Sequence, residues 1–238
     1  MTELKSYVRS LERSRSALTR ADRPRTFAMA GREWDLLEDV FAPPFSATTQ
    51  VAMEILGLVG DGEPRYRRDG SFIEIGSGTG IIAVTAALNG CERVVATDIS
   101  TAAVENTRLN AERHRVADRV RALHGDLFSA LDPDERFDTV YWHSNFVLAP
   151  ESYRYETVHE AAYVDPGYQA HRRYLVEAPL RTTAGGRALL QFSDRGDLDR
   201  LHELAAACDR ELTVHCRRSF AEGPDTIEHI LYEITPAS

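Results

Sequence analysis

The chain has 238 residues, a formal net charge of −9 and 43% apolar residues, enough for one α/β catalytic unit with a short N-terminal addition. No run approaches the ~18 apolar residues of a membrane span, the N-terminus is charged where a leader needs an apolar centre, and an acidic surface suits a polyanion poorly. A cytoplasmic protein is expected, with no membrane and no nucleic acid as partner, and with no metal, because Cys91, Cys208, Cys216, His159 and His171 lack ligand spacing.

The charge is uneven. Lys5, Arg9, Arg13, Arg15, Arg20, Arg23, Arg25 and Arg32 outnumber the acids around them. Leu4, Tyr7, Val8, Leu11 and Leu18 recur at intervals of three and four, which marks an amphipathic helix packed on something. A lid or a homodimer contact suits it; a solvated charged face and a nucleic-acid arm are the alternatives. Residues 27–45 alternate and break at Gly31, as a hairpin would. Pro43-Pro44 stops regular structure, and Ser46 is a fitting cap for a helix over 48–58. The expected division is an extension over 1–46 and a catalytic domain over 47–238.

Strands and helices then alternate. Strands are expected at 72–75, 94–99, 120–123, 139–143, 187–192, 212–217 and 228–234, and helices at 80–89, 101–114, 168–180 and 198–208. Seven strands with helical crossovers specify a doubly wound, mostly parallel α/β sheet. The connection 221–225 is too short for a helical crossover, so the last two strands should pair antiparallel.

Glu74-Ile75-Gly76-Ser77-Gly78-Thr79-Gly80 joins the first of these strands to its helix. Alternating glycines permit a tight turn and remove the Cβ atoms that would hold a ligand away. The spacing G-x-G-x-G differs from the dinucleotide pattern G-x-G-x-x-G, and Glu74 would repel a pyrophosphate. Asp98 ends the next strand, where an adenosine ribose would present its hydroxyls. Two acids around the turn point to a nucleoside cofactor without phosphates.

This pattern resembles the class I S-adenosylmethionine-dependent methyltransferases, with their Rossmann-like sheet. The resemblance implies S-adenosyl-L-methionine as cofactor, held by Glu74, Gly76, Ser77, Gly78, Thr79, Gly80, Asp98, Ile99, Asp126, Leu127 and Asn145, with Asp126 on the adenine amino group. The run 137–148, which contains His143-Ser144-Asn145-Phe146-Val147-Leu148, is similar to the motif region of the release factor glutamine methyltransferases and related amide and amine N-methyltransferases. Residues 27–49 and 98–110 also fit that family. There the motif is N-P-P-Y, whose Asn side chain and proline carbonyl accept hydrogen bonds from the target nitrogen; here Asn145 is kept, while Phe146, Val147 and Leu148 replace the rest.

The altered motif favours a small-molecule substrate, as in specialised metabolism, methylated on N, O or C. A protein glutamine or amine N-methyltransferase and a non-catalytic cofactor-binding module stay open, and a nicotinamide oxidoreductase would share the fold. Asn145 would align the nucleophile and His143 would take its proton. Tyr153, Tyr155 and His159, in the long following connection, would meet the substrate unless that stretch is a plain surface loop.

Overall fold

The computed structural model describes residues 6–222 and 225–237. Helix α1 (Tyr7–Thr19) is followed by a hairpin of β1 (Thr26–Met29) and β2 (Arg32–Asp35), and by α2 (Thr48–Leu56). The main sheet takes β3 (Ser71–Ile75), β4 (Arg93–Asp98), β5 (Val120–His124), β6 (Phe137–His143), β9 (Thr182–Ser193), β10 (Arg210–Glu222) and β11 (Asp225–Pro236). Between them run α3 (Ile81–Leu88), α4 (Thr101–Arg113), the short strands β7 (Leu148–Ala149) and β8 (Asp165–Pro166), α5 (Gln169–Glu177) and α6 (Leu198–Ala206).

The seven strands lie in the order β10-β11-β9-β6-β3-β4-β5, and β11 pairs antiparallel with both neighbours while β9, β6, β3, β4 and β5 run parallel. β3 is buried from end to end, as a central parallel strand must be. Its side chains alternate between two cores: Phe72 packs with residues of α2 and α3, and Ile73 and Ile75 pack with residues of α5 and α6. After β5 the chain returns to the opposite side of β3, so the sheet reverses between β3 and β6 and opens a crevice at their carboxyl ends.

The hairpin is tighter than the expected span of 27–45. It turns at Ala30 and Gly31, both at positive φ, and Pro43-Pro44 begins a short 3-10 turn (Pro43–Phe45) rather than ending all structure. Ala47, not Ser46, caps α2, although Ser46 Oγ accepts a long bond from Thr48 N at 3.4 Å. The expected helix over 168–180 is α5 followed by a 3-10 turn (Ala178–Arg181). Two buried asparagines of α4 hold the hairpin. Asn110 Oδ1 accepts from Asp35 N at 2.7 Å, and Asn106 Oδ1 accepts from Leu37 N at 2.8 Å.

Helix α1 packs by a face that apolarity alone does not select. Ser10, Leu11, Ser14 and Ala17 are buried while Val8 is exposed, and Leu4 and Lys5 lie outside the described residues. The face is turned toward the 3-10 segment Val158–Ala162, where Ser14 Oγ and His159 Nδ1 share a hydrogen bond of 2.7 Å. Arg15 adds an exposed ion pair to Glu156, which is worth little. No described helix is long and apolar enough to cross a membrane.

Burial pushes the His159 imidazole down from 6.5 to about 4. The unfolded chain therefore takes up the proton first, and the stability from the neutral ring is complete above pH 6.5 and lost as the pH falls through about 4. Relative to a His159→Gln variant, the native protein should lose melting temperature across that window. Parallel pH profiles of the two proteins would show that folding leaves the His159 pKa unshifted.

Candidate active site

A cleft of about 930 Å³ fills the crevice above β3, β4 and β6, with α1, residues 39–46 and the Val158–Ala162 turn forming its other walls. That volume suits a cofactor and part of a substrate. The floor is the glycine turn. Gly76, Gly78 and Gly80 all have positive φ (67°, 54° and 76°). A Cβ on Gly80 would lie 2.7 Å from Thr107, so this glycine lets the turn press against α4; a Cβ on Gly78 would meet nothing within 4 Å. The backbone is thus bare where it borders the cleft and tight where it borders the fold.

Asp98 stands at the end of β4 beside this turn. Its Oδ2 accepts from Gly78 N at 2.9 Å and its Oδ1 from Ser100 N at 2.8 Å, which orients the carboxylate and leaves further lone pairs for hydroxyl donors. Burial raises its pKa, and the backbone N–H groups oppose that shift. Ile99, 45% exposed on the rim, offers an apolar surface to a flat base. Leu127 is buried at positive φ, and its carbonyl accepts from Thr97 Oγ1 at 2.8 Å. Glu74 is set deeper: its Oε2 accepts from Ala83 N at 2.8 Å, and burial lifts it well above the usual carboxylate range. Asp126 also lines the cleft, where both of its oxygens accept from the half-exposed Arg173, at 2.6 and 2.9 Å.

The Asn145 amide is fixed by its nitrogen. Nδ2 donates to Ala161 O and Val164 O, both at 2.8 Å, and the buried Oδ1 has no hydrogen-bond partner in the protein. His143 lines the same cleft, edge-on to His229 at 5.7 Å. Burial pushes the His143 imidazole down to about 4, so near pH 7 the ring is neutral, with one nitrogen a donor and the other free to accept.

The expected substrate contacts are partly committed elsewhere. Tyr153 Oη donates to Glu160 Oε2 at 2.7 Å and Tyr155 Oη to Val164 O at 2.9 Å, which uses their protons and leaves their rings and oxygen lone pairs to the cleft. His159 serves α1 through Ser14. Sequence reasoning missed Trp142, whose indole packs on His171 and Tyr174 and would sit 3.5 Å from a Cβ on Gly76. A bulky residue in the strand next to the turn was the available signal.

A family profile described as a methyltransferase domain matches residues 72–164. The chain is 31% identical over 215 residues to the release factor glutamine methyltransferase of Bordetella pertussis, covering 84% of this chain and 75% of the relative. The chain belongs to the class I S-adenosylmethionine-dependent methyltransferases, in the group of the release factor glutamine methyltransferases.

Other likenesses to this methyltransferase are partial. The ribosomal protein uL3 glutamine methyltransferase of Burkholderia pseudomallei is 30% identical, over 51% of this chain and 45% of the relative. The ribosomal protein L11 methyltransferase of Desulforamulus reducens is 38% identical, over 36% and 26%. Among solved structures, the ribosomal protein L11 methylase of Lactobacillus delbrueckii superposes with a TM-score of 0.54 at 17% identity, over 84% of this chain and 82% of that one. A T. thermophilus rRNA methyltransferase in complex with AdoMet and guanosine gives 0.55 at 18%, over 87% and 49%; both share the fold. The release factor, uL3 and L11 enzymes that the sequence matches are named for protein substrates, which overturns the expected small-molecule partner.

The methyltransferase uses S-adenosylmethionine, and its cleft fits that molecule: an open cradle at Gly78, a carboxylate at Asp98 with lone pairs to spare, and an exposed apolar rim at Ile99. Asp98→Ala should weaken cofactor binding by about 1.5–3 kcal/mol, roughly tenfold to a hundredfold, in calorimetry. Unchanged affinity in a folded variant would remove Asp98 from the cofactor's contacts.

Proposed function

We propose that this methyltransferase methylates a side-chain nitrogen of a protein, with the glutamine amide as the first substrate to test. The observation that carries this reading is the Asn145 amide, whose nitrogen is tied to two backbone carbonyls while its buried oxygen is left without a donor beside the cofactor cradle. A buried acceptor without a partner is costly, and an incoming N–H removes that cost while its nitrogen is aligned. The glutamine methyltransferases among the relatives support the same chemistry.

When bound, S-adenosylmethionine supplies an electrophilic methyl carbon on a sulfonium. The C–S bond breaks as the N–C bond forms, and the target nitrogen gives up a proton. Asn145 would orient that nitrogen, and His143, in the same cleft and kept neutral by burial, would receive the proton. The walls of Tyr153, Tyr155 and Tyr163 exclude water from the reacting groups. Helix α1 serves as a lid that a substrate side chain must pass.

The reading is tested by incubating the protein with labelled S-adenosylmethionine and glutamine-bearing peptides and full-length proteins, and locating the label by fragmentation. Label on a residue other than glutamine would redirect the assignment, and none on any protein would refute it. With a substrate in hand, Asn145→Ala should cost turnover about a hundredfold while cofactor affinity holds, since misalignment on the ångström scale is enough for such a loss. Full turnover in that variant would exclude Asn145 from aligning the acceptor.

A further inference from the structure

The motif loop 145–148 lacks the two prolines that stiffen it in the N-P-P-Y form, yet its geometry must hold Asn145 in place. The structure shows a different restraint. Tyr168 Oη donates to the Phe146 carbonyl at 2.7 Å and accepts from Asp197 N at 2.8 Å, so one hydroxyl bridges the motif loop and the cap of α6. The Tyr168 side chain is fully buried, with its ring against His171 and Phe192 at 4.8 and 5.9 Å. Its backbone is held at φ 53° and ψ 38°, a left-handed conformation that a bulky residue adopts only where the surroundings impose it.

The neighbours agree with this assignment. Gly196 approaches the same carbonyl so closely that a Cβ there would lie 2.4 Å from Phe146 O. Asp165 N donates to Val147 O and Gly167 N to Ala149 O, both at 2.9 Å, and these belong to the same return segment that supplies Ala161 O and Val164 O to Asn145. The strain at Tyr168 therefore lies where the loop gains its rigidity.

We propose that Tyr168 is the positioning residue of this active site, taking over from the missing prolines by clamping the Phe146 carbonyl and so fixing the Asn145 amide. Burial also pushes the phenol pKa up, so the hydroxyl remains a donor at any working pH. The inference rests on the proposed role of Asn145, but its first test does not need a substrate.

Tyr168→Phe keeps the ring and deletes only the bridge. Amide hydrogen exchange, read on the protein without substrate, should speed up at residues 145–149 by about tenfold or more while α5 and the glycine turn stay protected. Gly196→Ala, which crowds both that carbonyl and the Phe192 ring beside Tyr168, should reproduce the faster exchange at 145–149 by a different route. On a methylated substrate, Tyr168→Phe should lower kcat with little change in KM or cofactor affinity, whereas a purely structural role would lower melting temperature and leave the ratio of kcat to KM alone. Unchanged exchange at 145–149 in both variants would overturn the proposal. Faster exchange in proteins that methylate no glutamine would uphold the clamp and defeat the substrate reading instead.

Discussion

The close seating of the glycine turn on α4 is the constraint on which the rest of this molecule depends. Thr107 touches it from one side, with Oγ1 3.0 Å from Ser77 Oγ and no room for a Cβ on Gly80. Asn110 then donates to Thr79 O at 2.9 Å and to Asp35 O at 3.0 Å, so one buried side chain joins the turn to the N-terminal hairpin. Gly76 N and Ser77 N both donate to Thr97 O, which fixes the turn to the end of β4 and brings Asp98 alongside. The ligand-facing surface is held open because its back is so fully occupied.

The other half of the cleft is built on the return from β7 to α5. A strand-end asparagine becomes an oriented acceptor only when its amide nitrogen is taken up, and Ala161 and Val164 do this from a turn with few regular hydrogen bonds of its own. That turn is secured by Glu160, buried and accepting from Tyr153 Oη and from Glu156 N. The Asn145 amide is therefore held by a loop, while the glycine turn is held by the sheet.

The sheet and the glycine turn were legible because their signals are local. Alternation within β3, a glycine every second residue and an acid at the end of β4 can all be read within a few positions. The contacts that set the acceptor site are not local. Tyr168 and Phe146 are 22 residues apart, and Ser14 and His159 are 145 apart, so no periodicity links them. For α1 the apolar stripe was a partial guide, because the contact face joins Leu11 to two serines and an alanine that allow close approach and a polar bond. The pKa of His143 follows from burial by residues of β9 and β11, which its own strand does not announce. The small-molecule reading rests on three altered positions, whereas 84% of the chain aligns with a release factor glutamine methyltransferase.

The small side chains beneath α1 have an energetic consequence. Ser10, Leu11, Ser14 and Ala17 bury less apolar surface than α3, whose residues from Ile81 to Ala87 are sealed in the core. Separating α1 from the body therefore costs far less than opening the sheet, and it can occur as a sub-global event with the nucleoside pocket intact.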